Sequence, residues 1–212
     1  MNFSKTYLSK LLIVVFHIVG FLGITLNETR PFFLGLVPFH ILLMSGILLA
    51  NFAKIPTQTV YAVIVIFIAG FIIEVIGVNT GVIFGRYNYG NTLGFKIISV
   101  PLVIGLNWVI VVFSVGGLLR SFLKSKKVLR TILGALLLVG LDYLIEPVAV
   151  KLDYWSWENN LIPFQNYVGW FFVSLFMMAF YNYFDFKKTN TVYKTLFYAQ
   201  LLFFIALNLS II

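Results

Sequence analysis

Seven long apolar runs, joined by links too short to hold a folded domain, limit this chain more than any other feature. They fall at roughly 8–26, 32–50, 59–78, 97–119, 128–145, 164–184 and 192–212. A helix that crosses a bilayer needs about 20 mostly apolar residues, within a range of about 17–25. In lipid each backbone N–H and C=O must find its partner inside the protein, so runs of this length predict helices. The expected fold class is all-α: one polytopic membrane bundle over residues 1–212, with about seven transmembrane helices. Composition agrees, with 61% hydrophobic and 10% charged residues, against about 45–50% and about 25% in soluble domains. The first run follows Lys5 and Lys10 as a secretory signal would. It is long, however, and no small-residue cleavage site follows it, so it reads as a retained anchor.

The net charge of +8 would suit a nucleic-acid partner if the basic residues clustered on one face, but they sort by topology instead. With seven spans, one side carries eleven of them: Lys5, Lys10, Lys54, Arg120, Lys124, Lys126, Lys127, Arg130, Lys187, Lys188 and Lys194. The other carries Arg30, Arg86, Lys96 and Lys151. The positive-inside rule makes the first side cytoplasmic. The N-terminus is then inside the cell membrane and the C-terminus outside, and nucleic acid is excluded as a partner. The absence of cysteine removes disulfides, thiolate metal sites and cysteine nucleophiles.

The acids follow a different pattern. Glu28, Glu74, Asp142, Glu146, Asp153 and Glu158 map to the outer half or the outer links, and Asp185 maps inside. Glu74 and Asp142 lie several residues within their apolar runs, where ionisable groups are rare and mark function by default. Asp142 and Glu146, four residues apart, share one helix face, and Pro147 is expected to end that helix at Glu146. Each acidic helix leads into aromatic residues, "YNY" at 87–89 and "YWSW" at 154–157. In "VPLVIGLNW" and "IPFQNYVGW" a tryptophan, Trp108 or Trp170, then stands seven residues after a proline. Two such helix–loop–helix units of one orientation would be parallel repeats with a site at their junction. The alternative for the acids is a water interface, with pairing to Arg86 or Lys151. For the aromatics it is an interfacial belt.

A carboxyl group removed from water keeps its proton to higher pH and can serve as a general acid. Aromatic faces around it attract cationic charge. Such a donor opening onto lipid suits proton addition to a polyene, with the carbocation held by the rings and captured by water. His17 and His40 lie in apolar helices without metal-ligand spacing and read as packed residues. A retinal pigment would need a lysine within the last helix, whereas Lys194 stands at its mouth. There is no phosphate-binding glycine motif and no serine–histidine–acid set.

Taken together, "EVIGVNTGVIFGRYNYG", "VPLVIGLNW", "LDYLIEPVAVKLDYWSW" and "IPFQNYVGW" resemble, in order and spacing over roughly 60–175, the membrane-embedded carotenoid hydratases. That family includes γ-carotene and lycopene 1,2-hydratases and bisanhydrobacterioruberin hydratase. The resemblance implies water addition across the terminal C1–C2 double bond of an acyclic carotenoid, without metal or redox cofactor. It also implies contact with membrane lipid and with other enzymes of the pigment pathway. Glu74, Asn79, Thr80, Gly81, Phe84, Gly85, Tyr87 and Tyr89 match its first motif, and Asp142, Pro147, Trp155 and Trp157 its second. Glu146 stands where the family often has aspartate, and Ile83 where it often has proline. The expected catalytic residues are Glu74, Asp142 and Glu146: Glu74 or Asp142 protonates C2, and the partner carboxylate orients or deprotonates water. Asn79 and Thr80 would hold that water. Phe84, Tyr87, Tyr89, Trp108, Tyr154, Trp155, Trp157 and Trp170 would line the polyene end. The rival is a non-catalytic carotenoid or lipid binding protein, or a small transporter using the same acids as a proton relay. A transporter should continue its polar path into the cytoplasmic half, where no comparable buried charge is found.

Overall fold

The structure, a computed structural model, describes residues 4–51, 57–184 and 191–212. Lys54, Asp185, Lys187 and Lys188, which the charge pattern assigns to the inner side, lie outside the described residues. The chain is an all-α membrane protein. Helices α1 (Lys5–Thr25), α2 (Arg30–Gly35), α3 (Val37–Ala50) and α4 (Thr57–Thr80) lead to strand β1 (Tyr87–Tyr89). Strands β2 (Lys96–Ile97) and β3 (Val100–Pro101) precede α5 (Val103–Phe122) and α6 (Lys127–Lys151). Strand β4 (Trp155–Trp157), α7 (Phe164–Tyr183) and α8 (Thr191–Ile211) complete the fold.

Helix α5 is the central mast. Of its apolar window 78% is buried, against 17–39% for α1, α4, α6 and α8, the other helices long and apolar enough to cross a membrane. Helices α3, α4, α6, α7 and α8 surround it, and α1 packs on α8. A helix that is apolar all round is either buried or lipid-facing, and this bundle holds both kinds. The outer helices leave Leu22, Phe39, Ile64, Phe172 and Leu202 exposed. Where backbones must approach closely, glycine makes room. A Cβ on Gly70 of α4 would lie 2.6 Å from the Trp108 ring of α5, and one on Gly116 of α5 would lie 2.3 Å from Tyr181 of α7.

Three boundaries differ from the sequence expectation. The run 32–50 is two helices, broken at Leu36, because Pro38 enters α3 at its start. Helix α3 has 14 residues and so rises roughly 21 Å, short of the ~30 Å hydrocarbon core. The run 97–119 does not begin as helix. Lys96 and Ile97 pair with Pro101 and Val100 around a turn in which Ile98 and Ser99 take φ of 49° and 66°. Positive φ at both central residues is what a tight two-residue hairpin requires.

The third difference matters most for the site. Pro147 does not end its helix: α6 runs on to Lys151, so Asp142 and Glu146 sit inside a continuous helix. Proline lacks the N–H that would bond the carbonyl four residues back. Asn208 of α8 donates to the adjacent Leu144 carbonyl at 2.7 Å. Polar side chains of neighbouring helices are how membrane helices accommodate proline.

Helix ends are closed in the same way. Arg30 donates to the carbonyls of Ile24 (2.7 Å) and Thr25 (3.2 Å), and Thr29 to that of Gly23 (2.8 Å), closing α1. At the far end of the bundle Arg130, 1% exposed, donates to the Leu123 and Lys124 carbonyls beyond α5 and to Asn182 Oδ1 of α7; the half read from the sequence as cytoplasmic and without buried charge therefore does hold one.

The Gly70–Trp108 contact generates a stability prediction. Gly70→Leu should overpack the α4–α5 seam and cost about 1–3 kcal/mol. In detergent this should appear as a melting temperature lower by several degrees, followed by tryptophan fluorescence. An unchanged melting temperature would mean that the seam is loose.

Candidate functional site

Strands β1 and β4 follow α4 and α6 and pair antiparallel, with Tyr87 opposite Trp157, Asn88 opposite Ser156 and Tyr89 opposite Trp155. Alternate residues of a strand face the same side. Tyr87 and Tyr89 therefore point together at one helix, and Trp155 and Trp157 at another. On α4, Glu74 Oε2 accepts from the hydroxyls of Tyr87 (2.5 Å) and Tyr89 (2.8 Å), and Oε1 from Trp108 Nε1 (3.1 Å). On α6, Glu146 Oε2 accepts from the indoles of Trp157 (2.7 Å) and Trp155 (3.0 Å), and Oε1 from Asn166 Nδ2 (3.1 Å). Asp142 Oδ2 accepts from the same amide at 2.9 Å. The rings of Trp108 and Trp170 stack 4.5 Å apart, with planes 20° from parallel. A local two-fold axis between the α4–α5 and α6–α7 units would give both the strand pairing and the tryptophan stack.

The three acids are buried, at 4%, 1% and 1% exposure for Glu74, Asp142 and Glu146. A buried carboxyl is tolerated only when hydrogen-bonded, and two of these have a full set of donors. Indole and amide N–H groups can only donate, so Oε1 of Glu74 and both oxygens of Glu146 act as acceptors. Burial first, and the nearby Glu74 carboxyl next, push the phenols of Tyr87 and Tyr89 well above the usual tyrosine range, so both remain donors. Asp142 differs: its Oδ1 is buried without a hydrogen-bond partner among the described residues. Pairing of these acids with Arg86 or Lys151 is not seen. Arg86 instead lies 4.0 Å from Glu158, with both side chains exposed, and Asp153 accepts from the Asn91 N–H.

Three spaces meet here. A polar vestibule of about 370 Å³ is lined by Asn79, Thr80, Arg86, Asn88, Ser156 and Glu158, together with Tyr87 and Trp157. Tyr87 and Trp157 also line a chamber of about 30 Å³ that Glu74 and Glu146 face. That is room for ordered water, which needs a cavity of only about 10–15 Å³. Ile104, Asn107, Trp155 and Trp170 form the wall that the chamber shares with a third space. This is a largely apolar cavity of about 420 Å³, and of the three acids only Asp142 lines it.

The structure places the expected residues as follows. Glu74, Glu146, Phe84, Tyr87, Tyr89, Trp108, Trp155, Trp157 and Trp170 line the chamber, and Asp142 and Tyr154 line the apolar cavity. Asn79 and Thr80 are apart from the acids. Their side chains bond the α4 carbonyls of Val75 (2.7 Å) and Ile76 (2.6 Å) and border the vestibule. Gly81 and Gly85, at φ of 68° and 102°, turn the chain there. Gln165 of α7 donates to the Gly81 carbonyl at 3.1 Å.

Sequence reasoning missed Asn166, which bridges two acids, and Asn107, in the shared wall. Both lie inside the proline–tryptophan stretches, and a polar amide in an apolar helix start was the available signal. His17 and His40, read as packing residues, line the apolar cavity.

Comparison with known proteins identifies the family. A bisanhydrobacterioruberin hydratase from Haloarcula japonica is 26% identical over 156 residues, covering 66% of this chain and 50% of the relative. The chain thus matches about half the length of that protein. No solved structure matches the chain significantly. The family model described as carotenoid biosynthesis protein matches residues 35–212, which takes in both acidic helices and both strands of the β1–β4 pair: the chain belongs to the carotenoid biosynthesis protein family.

Proposed function

We propose that the protein is a carotenoid 1,2-hydratase that adds water to the terminal C1–C2 double bond of an acyclic end, as lycopene and γ-carotene carry, without a cofactor. The observation that carries this reading is Asp142. One of its oxygens is buried and unpartnered among the described residues, and the residue lines an apolar cavity that adjoins a water-sized chamber bordered by two carboxyls.

In this reading the ψ-end lies in the apolar cavity and Asp142 donates its proton to C2. The positive charge then sits on C1, the more substituted carbon. The faces of Trp155 and Trp170 in the shared wall favour that cation. Water in the chamber attacks C1, and Glu146 accepts the proton released. Asp142 and Glu146 lie one turn apart on one helix face and are both held by Asn166; water between them carries the proton back from Glu146 to Asp142 and the site is reset. Glu74, held by three donors, serves as a fixed acceptor that orients the water. The net change is one alkene and one water giving one tertiary alcohol. The vestibule supplies water past Tyr87 and Trp157. With the N-terminus cytoplasmic in a multi-pass cell-membrane arrangement, the site opens towards the outer leaflet. A protein that only bound carotenoid would need the apolar cavity but not an unpartnered carboxyl beside a water chamber.

Expression in a bacterium that accumulates lycopene or γ-carotene should yield a more polar pigment, heavier by one water and with its chromophore unchanged. Chromatography and mass spectrometry read this directly. Unchanged pigment, with protein present in the membrane, would count against hydration of these ends.

Asp142→Asn should lower product formation by about 10²–10⁴-fold, the usual contribution of a general acid. Glu146→Gln should fall in the same range, both measured at matched protein levels. Full activity in either variant would remove that residue from the mechanism.

A further inference from the structure

The apolar cavity contains a polar cluster that the reaction above does not use. His17 of α1 is 6% exposed, and its Nδ1 lies 2.7 Å from the Ile13 carbonyl. A carbonyl can only accept, so Nδ1 carries the hydrogen, and in the neutral ring Nε2 is left as an acceptor. The His40 ring of α3 meets the His17 ring edge-on at 4.8 Å, and Phe203 of α8 meets it at 5.7 Å. Gln200 precedes Phe203 by three residues and so shares its helix face. Its Oε1 is buried with no hydrogen-bond partner among the described residues. All three polar side chains line the cavity that Asp142 lines, from a wall built by α1, α3 and α8 rather than α6.

Acceptors left bare in an apolar space cost free energy unless a donor reaches them. The other groups in this part of the wall, among them Phe16, Val19, Ile24, Phe33 and Leu43, offer none. We propose that His17, His40 and Gln200 form a subsite that binds a hydroxyl group carried by an isoprenoid ligand within the cavity. The hydroxyl donates to Gln200 Oε1 or His17 Nε2 and accepts from the N–H of His40. This rests on the reading of the cavity as the isoprenoid-binding space and extends it: the cavity accepts hydrocarbon ends but binds an isoprenoid carrying a hydroxyl in preference to one without.

The test uses the purified full chain in detergent. Lycopene is titrated as a quencher of tryptophan fluorescence, since Trp155 and Trp170 line the cavity. Geranylgeraniol and its deoxy hydrocarbon then compete it off. The alcohol should displace lycopene at about five- to tenfold lower concentration, as one added buried hydrogen bond gives. In His17→Phe and Gln200→Leu that preference should fall towards one, while the hydrocarbon competes as before. Equal competition in the unaltered protein would overturn the subsite, leaving the cluster to an ordered water. So would a preference that persists in both variants. Lycopene that fails to quench would overturn the subsite together with the reading of the cavity. Quenching with the expected preference, but no hydrated pigment in cells, would sink the hydratase reading and leave the subsite standing.

Discussion

The pairing of β1 with β4 is the contact on which the rest of the site depends. It is three residues long, yet it joins the loops after α4 and α6 and sets the direction of four aromatic side chains. Two hydroxyls then converge on Glu74 and two indoles on Glu146. A carboxyl in a low-dielectric interior is costly in proportion to its unmet hydrogen bonds. With the strand pair in place, those donors are supplied by side chains that are themselves apolar over most of their surface. Without it, those four donors would scatter, leaving Glu74 only Trp108 and Glu146 only Asn166 inside an apolar bundle.

Completeness at two carboxyls makes the incompleteness at the third informative. Asp142 shares Asn166 with Glu146, but its other oxygen has no partner among the described residues, and the residue lines the apolar cavity. From vestibule to chamber to cavity, the lining passes from polar to mixed to nearly all apolar, and the acids sit at the last boundary. A reaction that passes through a carbocation gains from such an order. Water is confined to one face, and hydrocarbon and aromatic walls cover the rest.

The scaffold holds that boundary by close packing rather than by charge. Gly70 admits the Trp108 ring against α4, which brings the indole to Glu74. The stack of Trp108 on Trp170 then ties α5 to α7. Pro147 is carried inside α6 with Asn208 bonding the adjacent Leu144 carbonyl, so Asp142 and Glu146 keep one helical face.

The all-α membrane class was legible in the sequence, because lipid leaves a backbone few solutions and 20-residue apolar runs announce the helical one. Glu74 and Asp142 stood out for the same reason: charge within such runs is costly and therefore conspicuous; Glu146, just past its run, stood out by sharing a helix face with Asp142. What the residues do to one another was not legible. Pro147 stands inside α6 rather than ending it, and Asn208, on another helix and 61 positions away in the sequence, bonds the Leu144 carbonyl beside it. Asn79 and Thr80 looked like site residues, but local bonds to their own helix claimed them. Asn166 and Asn107 looked ordinary until the bundle closed around them. Sequence by itself determined the solvent this chain folds in and the acids it buries there. Only the tertiary structure decided which acids have every oxygen satisfied and which one has an oxygen left free, because hydrogen-bond partners across helices are set by packing and not by spacing along the chain.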